Sequence, residues 1–419
     1  VFGGDDSLAE QSLVCHWKEP GSRATMKTPL PSILTLNGGS SSIRFALHSM
    51  GDTLTRGLSG KLDRIGMPGT TFTVRDPAGS RDEGHPGEGP KTVDELLHWL
   101  EDMPGFAQIQ AVGHRVVHGM EHTEPAWVTD GLVADLKRIQ PCDPEHLPQE
   151  IALIEAFQKR HPEIRQAVCF DTSFHRTLPR VARLLAIPRR FDAKGVRRYG
   201  FHGLSYAFLM EELRRLGDPA ATEGRVILAH LGNGASLAAV RDGRSVETSM
   251  GFTPAAGLVM GRRSGDLDPG LGPYLARTEG LSMVEFDRMA NAESGLLGIS
   301  ETSSDMRELL ASEVSDVRAA EAVACFCHQA KKCLGAYVAV LGGLDTLVFA
   351  GGIGENCPTV RARICEGLEF LGIGLDGTAN LANQPVISKP DARVTVRVIR
   401  TDEELMIARQ VVQLMGVGG

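Results

Sequence analysis

Ile33-Leu34-Thr35-Leu36-Asn37-Gly38-Gly39-Ser40-Ser41-Ser42 is the stretch whose reading decides the fold. A short apolar run enters a turn that opens on residues without Cβ atoms, where a ligand can approach the backbone closely. The same grammar returns at Val226-Ile227-Leu228-Ala229-His230-Leu231-Gly232-Asn233-Gly234-Ala235-Ser236 and at Thr346-Leu347-Val348-Phe349-Ala350-Gly351-Gly352-Ile353-Gly354-Glu355-Asn356. Turns of this kind after buried strands bring amide N–H groups against phosphate oxygens. The first two are followed by second apolar-rich strands, from Ser42 to His48 and from Ser236 to Gly243. A strand, Gly/Ser turn, strand unit repeated at a distance of about 190 residues predicts two related domains. Facing each other, they would hold a nucleotide in the cleft between them.

The 419-residue length accommodates two domains and a deep cleft. A hydrophobic fraction of 42% and a charged fraction of 23% are those of an ordinary soluble globular protein, without an apolar stretch of membrane-spanning length. Net charge of −8 argues against a broad nucleic-acid surface, so an anionic ligand is captured by local arginines and helix ends. No Gly-x-x-x-x-Gly-Lys-Ser/Thr sequence occurs, which excludes the commonest phosphate loop. The eight cysteines are scattered without paired zinc spacing, which reads as reduced and cytoplasmic. Cys325 and Cys327 fall in an Ala-rich helical stretch and read as core packing.

Residues 1–31 are mixed and polar, lack the apolar centre of a secretory signal, and read as a poorly ordered leader, with Met26 an alternative initiator. The segment 75–91 reads as a surface loop, 92–101 and 149–160 as helices, and 166–170 as a strand that delivers Asp171 at its carboxyl end. Strand ends of that kind are where α/β domains bind ligands. Helices are expected at 283–290, 304–312 and 318–341, and a closing helix opens at Thr401. Thr401 and Glu404 have capping-box spacing, which gives Glu404 a structural task and leaves Glu403 free to point elsewhere.

Seven stretches in sequence order resemble the acetate kinase family, within the acetate and sugar kinase, Hsp70 and actin superfamily. They are Asn37–Ser42, Gly113-His114-Arg115-Val116-Val117-His118-Gly119, Phe170-Asp171-Thr172-Ser173-Phe174-His175, Arg198-Tyr199-Gly200-Phe201-His202-Gly203, His230–Ser236, Gly257–Asp266 and Gly351–Asn356. The resemblance runs from Ile33 to about Met415. It implies an α/β protein of two ribonuclease H-like (actin-like ATPase) domains around a cleft. The first would comprise residues 32–172 plus 402–419 and the second, nucleotide-binding and dimerising, residues 173–401. It further implies a cytoplasmic homodimer that transfers the ATP γ-phosphoryl group reversibly to acetate, with Mg²⁺, or Mn²⁺ as an alternative. A propionate or other short-chain carboxylate kinase, and a non-catalytic nucleotide-operated protein of the same fold, are the alternatives.

Site roles follow from the same resemblance. Both reactants are anions, so the chemistry needs positioning and charge neutralisation. Arg115 and Arg263 would hold acetate and the transferring group, as their fixed charge and forked geometry suit. His202 would hydrogen-bond the group in flight and Asp171 would align the reactants and reach Mg²⁺ through water, while Asn37 and Glu403 would sit at the metal. Val117, Phe201 and Pro254 match an apolar wall around the acetate methyl. Ser40, Ser42, Arg44, His230, Gly232, Asn233 and Gly234 would line the phosphates. Gly351, Gly352, Ile353, Gly354, Asn356, Asp305 and Arg307 would take adenosine. Two departures stand out: Arg44 replaces the usual lysine, and Pro141-Cys142-Asp143-Pro144-Glu145-His146-Leu147-Pro148 replaces Pro-Leu-His-Asn-Pro. The usual histidine position falls on Asp143 and the pocket position on Cys142, so no catalytic role carries over there.

Overall fold

The computed structural model describes residues 30–39, 42–65, 69–76, 81–83 and 89–416. Ser40 and nearly all of the expected leader, Met26 included, lie outside the described residues. One sheet holds β1 (Ser32–Gly38), β2 (Ser42–Met50), β3 (Leu54–Asp63), β4 (Thr71–Arg75), β5 (Arg81–Glu83), β6 (Ile109–Val116), β7 (Ala126–Trp127) and β8 (Arg165–Phe170), in the order β5-β4-β3-β2-β1-β6-β8-β7. The other holds β9 (Arg225–Leu231), β10 (Ala235–Arg241), β11 (Arg244–Thr248), β12 (Thr346–Ala350) and β13 (Thr395–Val398), in the order β11-β10-β9-β12-β13.

The repeat read from the turns is a repeat of topology. In β3-β2-β1-β6-β8 the first two pairings are antiparallel and the next two parallel. In β11-β10-β9-β12-β13 the succession is the same. The central strands β1, β9 and β12 are almost continuously apolar and buried, as strands covered on both faces must be.

Between the sheets lie two helices, Gly203–Arg215 and Glu403–Met415. Leu204, Leu209 and Leu213 of the first pack with Val226, Leu228 and Val348 of the second sheet. Met406, Ile407 and Val411 of the other pack with Ile33, Ala111 and Ala167 of the first sheet. Gly113 is required under that packing, because a Cβ there would stand 2.5 Å from Ile407 Cγ2. Arg409 joins the two helices through an ion pair with Glu211 at 2.6 Å. No helix among the described residues is long and apolar enough to cross a membrane.

Three sequence readings change. The segment 75–91 is not all loop, since Arg81–Glu83 forms β5. The third glycine stretch is not a loop like the first two but an immediate helix, Gly351–Asn356, with Gly351 at φ +76°. The capping box at Thr401 does not form. Asp402 is the N-cap, accepting from Leu405 N–H at 2.9 Å, and Thr401 N–H is taken by Glu355 Oε1 at 3.1 Å. Asp is among the best N-cap residues, and one position nearer the helix it wins over Thr.

Candidate active site

β1, β6 and β8 run parallel side by side, so their carboxyl ends bring Asn37, Arg115 and Asp171 together. Arg115 is the hub. Its Nε and Nη2 donate to Asp171 Oδ2 at 3.0 and 2.6 Å, and its Nη1 donates to Gly38 O at 2.8 Å and Glu150 Oε1 at 3.1 Å. Every N–H of the guanidinium except one on Nη2 is thereby committed. Asp171 is itself 1% exposed, and its Oδ1 is buried without a protein partner. Burial raises its carboxyl above the ordinary range against the pull of Arg115, and the charge of Glu403 adds to the rise.

Glu403, at the start of the closing helix, accepts from Asn37 Nδ2 at 2.9 Å; Glu404 Oε1 accepts from the same amide at 3.3 Å. Burial opposes the charge on Glu403, but His230, Arg115, Arg44 and the Asn37 bond outweigh it and lower its carboxyl. Glu404 goes the other way, raised by burial and by Glu403 beside it. No group of three or more His, Cys, Asp or Glu among the described residues could hold a metal. The site nonetheless fits a hard cation that keeps most of its waters, since it offers a buried carboxylate oxygen of Asp171 without a protein partner and a Glu403 carboxylate whose charge is favoured.

His202 precedes the Gly203–Arg215 helix in left-handed backbone, φ +57°, which carries its ring out of the helix line. The ring stacks on His230 with centroids 4.2 Å apart, and Nδ1 lies 2.9 Å from Ser236 Oγ. Ser236 Oγ is also hydrogen-bonded to the Tyr206 hydroxyl. Burial, followed by the charges of His230, Arg115 and Arg263, lowers the His202 pKa well below the usual value, so the imidazole is neutral. The neutral ring carries its proton on Nε2 in the arrangement in which Tyr206 O–H donates to Ser236 and Ser236 O–H donates to Nδ1; in the opposite arrangement Nδ1–H donates to Ser236. The Nε2 edge borders Gly234 and Arg263: a Cβ on Gly234 would stand 3.3 Å from His202 Nε2 and 3.8 Å from Arg263 Nη1.

Arg263 contrasts with Arg115. Among the described residues its guanidinium makes one hydrogen bond, a long one from Nη1 to Pro254 O at 3.4 Å, and has no carboxylate in ion-pair contact. Burial lowers its pKa against the fields of Glu145 and Asp143. Around it, Val117, Phe201 and Pro254 are buried, and His118 packs its ring on Tyr199 and Phe201 with centroids 4.5 and 5.5 Å away. Asp143 and His146, from the departing segment, are both buried and paired, Nδ1 to Oδ1 at 2.8 Å. Cys142 lies against Met120, Sγ to Sδ 3.5 Å.

The three glycine stretches lie as follows. Arg44 is exposed opposite Asn37 in the β1–β2 register, and Ser42 O closes the first turn on Gly39 N–H at 2.7 Å. Asn233 is exposed at the second turn, where Gly232 N–H bonds Gly234 O at 2.9 Å. Gly261 lies so close beneath that a Cβ would meet Asn233 Oδ1 at 2.2 Å. The third stretch adjoins the second, with the Gly352 N 3.8 Å from where a Gly232 Cβ would stand. Gly352 itself is open, while Asn356 Nδ2 bonds back to Gly352 O at 2.9 Å. Arg361, fully buried, pins this stretch through Gly354 O at 2.8 Å. Asp305 and Arg307 are not brought to the phosphate turns by any contact; they pair with each other, Asp305 capping the Met306–Ser312 helix at Arg307 N–H, 2.8 Å.

Sequence reasoning missed Glu150, Ser236 and Tyr206. Ser236 ended a quoted motif, but hydroxyls at strand starts are common and nothing local marked it. Glu150 lay within a stretch read only as an amphipathic helix.

The sequence pattern of the acetokinase family matches residues 32–409. The acetate kinase of Methylocella silvestris is 44% identical over 398 residues, covering 91% of this chain and 98% of that protein. The crystal structure of Porphyromonas gingivalis acetate kinase has a TM-score of 0.81 at 37% identity, over 92% of this chain and 100% of that one. A propionate kinase structure from Francisella tularensis subsp. tularensis SCHU S4 has a TM-score of 0.83 at 35% identity, over 91% and 99%. Paired sheets of one topology, with phosphate turns and a charged cluster at their facing ends, define a kinase of the actin-like ATPase fold. More narrowly, the chain belongs to the acetokinase family.

Proposed function

We propose that the protein transfers the γ-phosphoryl group of ATP to acetate, reversibly, giving acetyl phosphate and ADP. The observation that carries this reading is the opposition of an Arg115 paired with Asp171, one N–H still free, and an Arg263 without an ion-pair partner among the described residues, beside a neutral His202. A carboxylate oxygen of acetate forms a bond to the γ-phosphorus as the bond from that phosphorus to the β,γ-bridging oxygen breaks, the bridging oxygen and the electron pair leaving with ADP. No general base is needed, since acetate is already ionised at neutral pH. Arg263 takes the incoming carboxylate, the last free N–H of Arg115 and the Nε2–H of His202 meet the equatorial oxygens, and the wall of Val117, Phe201 and Pro254 receives the methyl. A donor aimed at developing charge is worth about 3 kcal/mol of barrier.

Mg²⁺ would be held by Glu403 and Asn37, with Asp171 reached through water; bound there, it neutralises charge on the phosphates. The assigned domains, 32–172 with 402–419 and 173–401, are supported by the membership of the two sheets and by the packing of the Glu403–Met415 helix on the first of them. A homodimer is supported by elements that bury nothing within one chain: the helices Leu271–Thr278 and Met283–Arg288 have no buried residue, and Val181, Met283 and Val284 are 81%, 76% and 79% exposed. A cytoplasmic location agrees with seven described cysteines that are all free.

The deciding experiment is hydroxamate trapping of acyl phosphate across acetate, propionate and butyrate, with ATP, other triphosphates and pyrophosphate as donors. Turnover on acetate with the highest kcat/KM supports the proposal. A propionate kcat/KM equal or better replaces acetate with propionate, the reading that the Francisella likeness favours, because a hydrophobic wall discriminates one methylene by only about 1–3 kcal/mol. Absence of any acyl hydroxamate makes the protein a nucleotide-operated binder instead.

A further inference from the structure

Glu150 is an acidic group in direct contact with Arg115 that has no assigned task, and it is 2% exposed. The departing segment places it. Asp143 Oδ1 accepts the N–H of His146 at 3.1 Å and pairs with its ring, Asp143 O accepts Leu147 N–H at 3.2 Å, and His146 O accepts Glu150 N–H at 3.1 Å. This winds the start of the Leu147–Arg160 helix so that Glu150, in its first turn, points beneath the first glycine turn. Its Cγ lies 3.6 Å from where a Cβ on Gly38 would stand. Oε1 then accepts from Arg115 Nη1 at 3.1 Å and Oε2 from Val117 N–H at 2.9 Å.

A buried carboxylate in this position is costly, and pairing it for stability alone gains little over an apolar side chain of the same size. What the two bonds do is join the guanidinium that faces the transferring group to the backbone of the acyl wall at Val117, two residues on and just past the end of β6. The bond to Nη1 also leaves Arg115 with a single uncommitted N–H, on Nη2, so that Arg263 is the more open fork for a carboxylate.

We propose that Glu150 is a positioning residue of the reaction, holding Arg115 and the Val117 backbone in register so that the acyl group is presented to the phosphorus and its carboxylate is directed to Arg263. The inference rests on the roles given above to Arg115 and Val117. Its surroundings carry Arg115 and Asp171 from β6 and the end of β8, and Asp143 from the preceding loop.

The test uses Glu150→Gln, which retains one acceptor oxygen, and Glu150→Met, which retains none, with Arg115→Ala as control. Expected is a graded loss of kcat/KM for acetate, about 10-fold in the Gln variant and about 100-fold in the Met variant, with KM for ATP within about twofold of the parent. Either variant within twofold of the parent on acetate, while Arg115→Ala is inactive, overturns the role of Glu150. Equal losses in acetate and ATP terms accompanied by a parallel fall in Tm overturn it also, as the mark of a purely structural residue. Near-parental turnover by Arg115→Ala refutes instead the assignment of Arg115. Should Glu150→Met fail to fold, the near-isosteric Gln variant decides alone.

Discussion

Gly203→Ala is the most economical probe of how the two halves of the site are held together. Gly203 N–H donates to the Asp171 carbonyl O at 2.8 Å, joining the residue after His202 to the backbone of the residue whose carboxylate grips Arg115. A Cβ on Gly203 would lie 2.1 Å from Asp171 O, and 3.0 Å from both Asp171 C and Phe174 Cβ. Helix propensity alone favours alanine by about 1 kcal/mol at an interior position. Against that stand a lost hydrogen bond of about 1 kcal/mol and overpacking of about 1–3 kcal/mol. The clash wins because the atom struck is backbone and cannot rotate away. Relief requires a separation of about 1 Å between His202 and Asp171, and misplacement on that scale costs about 100-fold in rate. Acetyl hydroxamate formation would therefore fall by about 100-fold in kcat, while ADP binding by calorimetry stays within about threefold and the melting temperature drops by a few degrees. Turnover within threefold of the parent would sink the argument, since the helix and the strand end would then be shown to move independently.

Tyr206→Phe removes the donor that orients Ser236 and with it the His202 tautomer; kcat should fall about tenfold with KM for ATP unchanged, and an unaltered kcat would show that Ser236 orients the ring unaided. Glu403→Gln should raise the Mg²⁺ concentration for half-maximal activity about tenfold with little change in melting temperature, and an unchanged Mg²⁺ curve would remove Glu403 from the metal. His48 is fully buried with both ring nitrogens unpartnered, and burial, helped by the Arg56 charge, lowers its pKa to about 3. The unfolded chain therefore binds the proton first, so stability is complete above the ordinary pKa of about 6.5 and is lost as pH falls towards 3. At pH 5 that loss is about 2 kcal/mol, so His48→Leu should gain about that much relative to the parent between pH 7 and pH 5 in urea melts. Parallel pH profiles for the two proteins would contradict it.

What was legible beforehand was whatever depends on local pattern. The apolar runs of β1, β9 and β12 and the glycines after them announced both the sheets and the phosphate turns, because a strand end and a close ligand approach each leave a compositional mark. Arg115, Asp171, His202 and Asn37 were recognisable within their motifs, and the structure brings them to one place. The helical start of Gly351–Asn356 was missed because glycine offers no helix signal; it is secured by side chains, Glu355 accepting from Gly351 N–H at 2.9 Å and Arg361 donating to Gly354 O at 2.8 Å. The capping role assigned to Thr401 and Glu404 failed because spacing alone cannot say which of two adjacent oxygen-bearing residues meets the helix N–H groups. Glu150 was invisible for a different reason: its partners are 35 and 33 residues away, and no local pattern encodes them.

The bond between Asn37 and Glu403 spans 366 residues, and the helix that begins at Glu403 also covers Ile33, Ala111 and Ala167 of the first sheet. During synthesis the strands through Phe170 emerge long before that helix exists. At ribosomal speeds the wait is on the order of 10–50 s, long compared with the collapse of a chain this size. Throughout it one face of the sheet stands bare, an invitation to chaperones and to aggregation, while the second sheet completes itself from a contiguous stretch. The arrival of a single helix then covers that face and delivers Glu403 to the cleft in one event. With Glu403 assigned to the metal as proposed, a nascent chain would be unable to spend ATP before it has folded.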